Sequence, residues 1–180
     1  MGDFVSRAGE KLEFALDAFE IDVNGMVCAD LGSSTGGFTD CLLQRGAKKV
    51  YSVDTAVGEL DWKLKQDKKV VVMEGTNAVH VSLPEKVDFV SIDVGWTRQD
   101  LVLPRACKLI KENSSIVSLY KPGYEQRSGE MDHEGLEPSK VAERISKSVG
   151  SEIKILKVVE SPIRGKRKGG KEFLIHAKCN

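Results

Sequence analysis

A segment rich in glycine and hydroxyl side chains, DLGSSTGGFTD, occupies residues 30–40 between an apolar run and a helix-like run. Its glycines, Gly32, Gly36 and Gly37, follow the spacing D-x-G-x-x-x-G-G. This spacing is neither the G-x-G-x-x-G dinucleotide fingerprint nor a phosphate loop that ends in Gly-Lys-Ser/Thr. Glycines let a ligand approach the main chain, and the start of a helix offers N–H donors. The segment therefore predicts a ligand loop for a molecule without a pyrophosphate.

An acidic residue, Asp54, ends the next predicted strand, about 20 residues after the first glycine of this loop. A carboxylate at that position can accept hydrogen bonds from both ribose hydroxyls of a nucleoside. A single aspartate after a strand is also common in turns, so Asp54 alone carries little weight. The glycine loop, the strand context and the acidic spacing together favour a site for an adenosine-type cofactor.

The elements that must position these residues follow an alternating pattern. Predicted strands at 26–31, 48–54, 69–73, 87–93 and 114–122 alternate with predicted helices at 38–46, 59–67 and 98–112, after an opening helix at 6–21 and before a helix at 138–150. Apolar strands that alternate with helices are typical of a parallel sheet covered on both faces. EIKILKVVES and KEFLIHAK predict a closing antiparallel pair. We predict an α/β fold with a mainly parallel, doubly wound sheet, in which ligands bind beyond the carboxyl ends of the strands.

The composition limits the possible functions. The chain has 180 residues with 27 basic and 27 acidic side chains, so we expect one domain over 1–180 and, for a nucleic-acid partner, local rather than global basicity. The four cysteines show no C-x-x-C or zinc spacing, so we expect reduced, buried thiols, no metal and a cytoplasmic location. No apolar run is long enough to span a membrane, which argues against a membrane-lysing protein.

The stretch DLGSSTGGFTDCLLQRGAKKVYSVD resembles motifs I and II of S-adenosylmethionine-dependent methyltransferases. More narrowly, the chain resembles the TlyA-type family, also called hemolysin A, among the FtsJ-like ribosomal RNA methyltransferases. SRAGEKLEFAL, GELDWKLKQD, LVLP, KPGYE and KEFL fall in the order of that family. The resemblance implies a Rossmann-like methyltransferase fold, S-adenosyl-L-methionine as cofactor, and ribosomal RNA or a ribosomal subunit as partner. Family members commonly carry an S4-like RNA-binding module before the SR dipeptide, and we expect that module to be absent from these 180 residues.

FtsJ-like enzymes use a Lys-Asp-Lys-Glu tetrad to methylate ribose 2′-hydroxyls, and the matching positions here are Lys11, Asp93, Lys121 and Glu172. Asp93 and Lys121 each end a predicted strand, so they can converge at one sheet edge. Lys11 flanks the apolar stripe of the first helix and Glu172 begins the last strand, where solvated charges are ordinary. The resemblance implies that Lys121 takes the hydroxyl proton or stabilises the oxyanion. The two carboxylates would orient the lysines, and Lys11 would assist.

The resemblance also implies contacts with the cofactor and with RNA. The cofactor candidates are Asp30, Gly32, Ser34, Gly36, Gly37 and Phe38 near the methionine part, Asp54 at the ribose and Asn77 near the adenine. Asn77 is equally typical of a turn. The run IRGKRKGGKEF supplies Arg164, Lys166, Arg167 and Lys168 as candidates for RNA phosphate contacts, and Tyr124 and His133 are candidates for stacking on a base.

Two departures from the family lie beside the proposed target site. The family often has DVSFIS where this chain has DVGWTR (93–98), and KPQFE where this chain has KPGYE (121–125). Both departures bear on substrate choice more than on cofactor binding.

The alternative functions are a non-enzymatic RNA- or ribosome-binding protein on the same fold, and a nicotinamide oxidoreductase. The second is disfavoured by the imperfect glycine fingerprint, and the sequence predicts no oligomeric state.

Overall fold

The computed structural model describes residues 3–125, 135–165 and 170–180. The helices are α1 (Ala8–Ala18), α2 (Gly37–Gln44), α3 (Trp62–Gln66), α4 (Gln99–Leu109), α5 (Pro122–Glu125) and α6 (Pro138–Val149). The strands are β1 (Val27–Leu31), β2 (Lys49–Val53), β3 (Val70–Met73), β4 (Val87–Ile92), β5 (Ile110–Tyr120), β6 (Ile153–Glu160) and β7 (Phe173–Cys179).

These strands form one sheet in the order β3-β2-β1-β4-β5-β7-β6. Strands β1 to β5 are parallel, and β7 runs antiparallel between β5 and β6. From β1 the chain builds outward through β2 and β3, and then crosses to the other side of β1 to form β4. This reversal creates a topological switch point at the carboxyl ends of β1 and β4, where ligands bind in open α/β sheets. The predicted fold class, including the closing antiparallel pair, is confirmed.

Apolar layers cover both faces of the sheet. One face packs against α1 and α2 through buried side chains such as Leu12, Leu16 and Leu42. The opposite face packs against α4 and α6 through others, including Leu103 and Ile145. Because side chains alternate along a strand, each central strand contributes to both layers. The central strands are therefore apolar on both faces and hold the loops at their carboxyl ends in fixed positions.

The boundary between α4 and β5 differs from the prediction. The predicted helix over 98–112 ends at Leu109, and the strand begins at Ile110 rather than at 114. Ile110 is extended and pairs with Val87 of β4, so sheet pairing overrides the local helical pattern. Helix α4 continues through Pro104. The segment 123–137, predicted to lack regular structure, contributes Gly123 to Glu125 to α5, and 126–134 lies outside the described residues.

The expectation of four reduced cysteines is wrong for two of them. Cys107 of α4 and Cys179 of β7 form a disulfide across 72 positions of sequence. Their proximity follows from how α4 packs against the end of β7, which no sequence spacing reveals. Cys28 and Cys41 are buried free thiols, and burial raises the pKa of Cys28 to about 12.

Within the described ranges, no helix has the length and apolar character needed to cross a membrane.

Candidate active site

A cleft of about 650 Å³ opens at the carboxyl edge of the parallel strands. The loops after β1, β4 and β5, the start of α1 and the segment before β7 border it. Its lining residues are Ser6, Arg7, Ala8, Lys11, Ser33, Ser34, Thr35, Asp93, Trp96, Lys121, Pro122, Gly123, Tyr124, Gly165, Gly170, Lys171 and Glu172. The volume is in the range of small-molecule sites. All four tetrad positions inferred from the sequence therefore border one cavity.

The four tetrad side chains form two ion pairs. Lys11 Nζ lies 2.5 Å from Glu172 Oε2, and Lys121 Nζ pairs with Asp93 Oδ1. The Lys11–Glu172 pair is buried, with side-chain exposures of 11% and 9%, whereas the Lys121–Asp93 pair is about twice as exposed at 21% and 17%. The deeper pair joins α1 to the residue before β7, and the shallower pair joins the ends of β4 and β5. Two cations and two anions thus lie along one wall without net charge.

The direction of Lys121 follows from its place in the chain. It comes directly after β5, and Pro122 begins α5. A proline disfavours helical backbone in the residue before it, so the chain turns only after Lys121. The Tyr124 N–H donates to the Lys121 carbonyl at 2.9 Å, and Lys121 Nζ lies 5.8 Å from the centre of the Tyr124 ring. The ammonium group is therefore held between Asp93 and an aromatic face.

The glycines of the loop after β1 are required by contacts within the protein. Gly32 has φ +90°, and a Cβ there would lie 2.6 Å from the Asp93 carbonyl oxygen. Gly36 has φ +103°, and a Cβ there would collide with Leu64. A Cβ on Gly37 would collide with Ser6 of the α1 entry. These glycines allow the loop to pack closely against three neighbouring segments.

Several main-chain donors of this loop are used inside the protein. Gly32 and Ser33 donate to the Val53 carbonyl at 2.8 and 3.1 Å, and Gly36 donates to the Ser33 carbonyl at 2.7 Å. The groups that the loop presents to the cleft are instead Ser33, Ser34 and Thr35, all of which line it. Of these three residues, only Ser34 is predicted from the sequence, although the SST triplet is a signal for all three.

Asp54 lies directly after β2 and contacts the loop after β1 through Ser34, but it does not line the cleft. Its Oδ2 accepts from Ser34 N at 2.7 Å, and its Oδ1 accepts from Ala56 N at 2.8 Å. Thr55 Oγ1 also lies 3.5 Å from Oδ1, so Oδ2 keeps the greater capacity to receive a ribose hydroxyl. Asn77 is exposed, and its Oδ1 accepts from Val79 N at 2.9 Å. That bond is typical of an Asx turn, and Asn77 does not line the cleft.

Asp30 and Phe38 support the loop from beneath and do not line the cleft. Asp30 is fully buried and accepts from Thr39 Oγ1 at 2.7 Å and from Ser91 Oγ at 3.1 Å. Burial raises the pKa of this carboxyl to about 7, despite the lowering effect of the two hydroxyl donors. Phe38 is 2% exposed in the apolar layer beneath α1 and α2. Any contact of Phe38 with a cofactor would therefore have to come from its main chain.

Two aromatic rings stand together at the cleft wall. The centroids of Trp96 and Tyr124 lie 4.6 Å apart with an interplanar angle of 44°, and Trp96 is 76% exposed with φ +61°. Tyr124 is a candidate from the sequence, whereas Trp96 is not. The available signal was an aromatic residue three positions after Asp93, within the DVGWTR departure.

The basic run after β6 is only partly described. Arg164 is exposed, whereas Lys166, Arg167 and Lys168 lie outside the described residues, as does His133. The described flanks of the run border the cleft: Gly165 N donates to the Gly170 carbonyl at 3.1 Å, and both glycines line the cavity. The described residues contain no cluster of three or more side chains of the types that could hold a metal ion.

The mixed sheet with this strand order is that of the Rossmann-like methyltransferase class. The FtsJ-like methyltransferase model matches residues 4–179, and the chain belongs to that family.

Individual relatives agree with this assignment. The chain is 39% identical over 186 residues to YqxC of Bacillus subtilis, provisionally named an rRNA methyltransferase, and the match covers 96% of this chain and 65% of YqxC. It is 42% identical over 137 residues to the 16S/23S rRNA (cytidine-2′-O)-methyltransferase TlyA of Mycobacterium tuberculosis, covering 74% of this chain and 51% of TlyA. A solved Streptococcus thermophilus structure with a provisional hemolysin name superposes with a TM-score of 0.88 at 35% identity, covering 100% of this chain and 68% of that one. The chain thus spans about two thirds of YqxC and half of TlyA.

Proposed function

We propose that this protein transfers a methyl group from S-adenosyl-L-methionine to a ribose 2′-hydroxyl of ribosomal RNA. The observation that carries the proposal is the convergence of Lys11, Asp93, Lys121 and Glu172 in one cleft as two ion pairs. The name of the TlyA relative specifies cytidine 2′-O-methylation of 16S and 23S rRNA, which agrees with this chemistry. A ribosomal RNA substrate also implies action in the cytoplasm.

The residues present fit S-adenosyl-L-methionine. Ser33, Ser34 and Thr35 offer hydroxyls to the polar methionine end, since all three line the cleft. Asp54, beside the loop, would accept a ribose hydroxyl with the spare capacity of its Oδ2. The cleft beyond the loop leaves room for a second substrate next to Lys121. When bound, the cofactor supplies an electrophilic methyl group.

The tetrad would activate and orient the accepting hydroxyl. Lys121 Nζ retains N–H groups beyond the one directed at Asp93, so it can donate to the ribose oxygen as negative charge develops there. The hydroxyl proton would pass to a basic group of the tetrad as the oxygen accepts the methyl group that the cofactor supplies. Asp93 keeps Lys121 oriented, and Glu172 does the same for Lys11. Alignment of the two substrates would supply several kcal/mol or more of the acceleration.

The RNA would enter along the wall formed by Trp96, Tyr124 and the segment before β7. A single-stranded base can stack on exposed aromatic rings, and the Trp96–Tyr124 pair lies beside Lys121. The flanks of the basic run, Gly165 and Gly170, border the same cleft. Cationic side chains in that run would neutralise RNA phosphates close to the methylated ribose.

The test is methyl transfer from tritium-labelled cofactor to purified ribosomal subunits and to deproteinised rRNA, followed by mapping of 2′-O-methyl groups. We expect label in rRNA and a protected ribose at a defined nucleotide. Binding to ribosomal subunits without any transfer of label would contradict the proposal and favour the non-enzymatic RNA-binding alternative. Calorimetry with S-adenosylmethionine and with NAD separates the proposed cofactor from the oxidoreductase alternative.

A further inference from the structure

The carboxylate of Glu125 lies against the start of α4, outside the cleft lining. Gln99, the first residue of α4, has its main-chain N–H 3.1 Å from Glu125 Oε1 and 3.2 Å from Oε2. The preceding residue, Arg98, provides no side-chain cap for this helix. The first N–H groups of a helix have no partner within the helix. Glu125 therefore caps α4 from a different segment of the chain.

The side chain of Gln99 reaches the other end of the same segment. It is 2% exposed, its Nε2 donates to the Leu119 carbonyl at 3.3 Å, and its Oε1 accepts from Ser118 Oγ at 2.7 Å. Gln99 thus contacts the chain just before Lys121 through its side chain and just after it through its main chain. Gln99 therefore contacts the chain on both sides of Lys121, the residue that borders the cleft.

This contact completes a series of links between two cleft segments. The segment 93–99 follows β4, and the segment 121–125 follows β5. The Asp93–Lys121 ion pair and the Trp96–Tyr124 ring contact join them inside the cleft. The Gln99–Glu125 link joins them at the far end, away from the cavity. If that link is lost, α5 has one fewer anchor and both inner contacts are free to shift.

We propose that Glu125 is a positioning residue that, through Gln99, holds Lys121 in its place in the cleft. The proposal rests on the proposed function, because it assigns Glu125 an effect on the same reaction. Glu125 does not line the cleft, so its effect would be exerted through the positions of other groups. A displacement of about 1 Å in a reacting arrangement can reduce turnover by roughly a hundredfold.

The link would also depend on pH. Burial, with a smaller contribution from Asp100, raises the pKa of Glu125 to about 7, against the lowering effects of the Gln99 N–H and Arg98. Arg98, which precedes α4, pairs with Asp100 in its first turn, with Arg98 Nε 3.0 Å from Asp100 Oδ1. Lys121 and Tyr124 lie on the segment of Glu125 itself. Protonation turns one carboxylate oxygen into a donor and removes an acceptor for the Gln99 N–H. The link is therefore strongest above about pH 7.

The first experiment compares turnover of wild-type protein, Glu125→Ala and Glu125→Gln on rRNA, with Glu112→Gln as a matched control at an exposed acid of β5. We expect Glu125→Ala to lower kcat by ten- to a hundredfold or more, with the cofactor dissociation constant changed less than about twofold. Glu125→Gln keeps one acceptor oxygen, as the protonated acid does, so its turnover should lie between those of wild type and Glu125→Ala. Wild-type kcat in a folded Glu125→Ala protein would overturn the proposal.

The second experiment does not depend on activity. The chain has two tryptophans, and Trp62 is 73% exposed, so a Trp62→Phe background leaves Trp96 as the fluorescent reporter of its contact with Tyr124. We expect its emission to change with a midpoint near pH 7, and this transition should disappear in Glu125→Gln. Persistence of the transition in that variant would overturn the role of Glu125. Absence of methyl transfer by the wild-type protein would remove the proposed function alone, since this titration still tests the link.

Discussion

Lys11 and Glu172 are 161 positions apart in sequence, yet Lys11 Nζ lies 2.5 Å from Glu172 Oε2 in a buried ion pair. Loss of one partner leaves the other charge buried without compensation, which costs more than loss of both. We expect Lys11→Met alone to lower the free energy of unfolding by about 3 kcal/mol. The double variant Lys11→Met with Glu172→Leu should lose less than the sum of the two single variants. Urea unfolding measures this cycle, and simple additivity would contradict the coupling.

A second lysine–aspartate ion pair between β4 and β5 provides a control for substitution of Lys121. Lys111 of β5 pairs with Asp88 of β4 at 2.7 Å, at the opposite edge of the sheet from the Lys121–Asp93 pair. We expect Lys121→Met to reduce methyl transfer by about a hundredfold or more, because the oxyanion loses its donor. Lys111→Met should leave transfer unchanged. Equal activity of the two variants in the tritium assay would remove Lys121 from the mechanism.

Asp54 should control cofactor affinity. We expect Asp54→Ala to weaken S-adenosylmethionine binding by about 1.5 to 3 kcal/mol, because hydrogen bonds to a charged acceptor are lost. Asp67→Ala is the matched control, since Asp67 follows α3 and also accepts a main-chain N–H from the residue two positions later, Lys69, at 2.8 Å. Isothermal titration calorimetry measures both. Unchanged affinity in the Asp54 variant would refute its role at the ribose.

Asp30 should make stability depend on pH. Burial raises its pKa from 3.8 to about 7 in the folded state. Since the folded-state pKa lies above the unfolded one, the stability contributed by the neutral acid is complete below about pH 4 and is lost as pH rises through about 7. Asp30→Asn should therefore gain stability relative to wild type between pH 4 and pH 8, by on the order of 3 kcal/mol. A pH-independent difference between the two proteins in urea unfolding would contradict this expectation.

The Cys107–Cys179 disulfide should stabilise the chain under oxidising conditions. A crosslink spanning 72 positions lowers the entropy of the unfolded chain, typically by the equivalent of about 2 to 4 kcal/mol. We expect dithiothreitol to lower the melting temperature of the wild-type protein and to leave a Cys107→Ala variant unaffected. Intact mass with and without thiol alkylation counts the free cysteines. Alkylation of all four cysteines in the unfolded, unreduced protein would show that the bond does not form.

Much of the fold could be predicted because its signals are local. The apolar runs that became β1, β2 and β4 lie within two residues of their predicted bounds. The predicted boundary between α4 and β5 is wrong because the extended conformation of Ile110 depends on its pairing with Val87, which belongs to a separate segment of the chain. The signals that mark the ends of the strands are also local. Asp54, Asp93 and Lys121 could therefore be placed at one edge of the sheet from the sequence alone.

The sequence by itself determined the class of sheet and the chemistry available at its carboxyl edge, because hydrophobic period and residue type are properties of short segments. Tertiary structure alone decided which charges pair, which cysteines join, and that Gln99 connects Glu125 to the strand before Lys121. It also decided that the glycines of the first loop serve contacts within the protein. Such contacts join residues far apart in sequence, and their geometry follows from packing of the whole chain, which spacing along one segment does not encode.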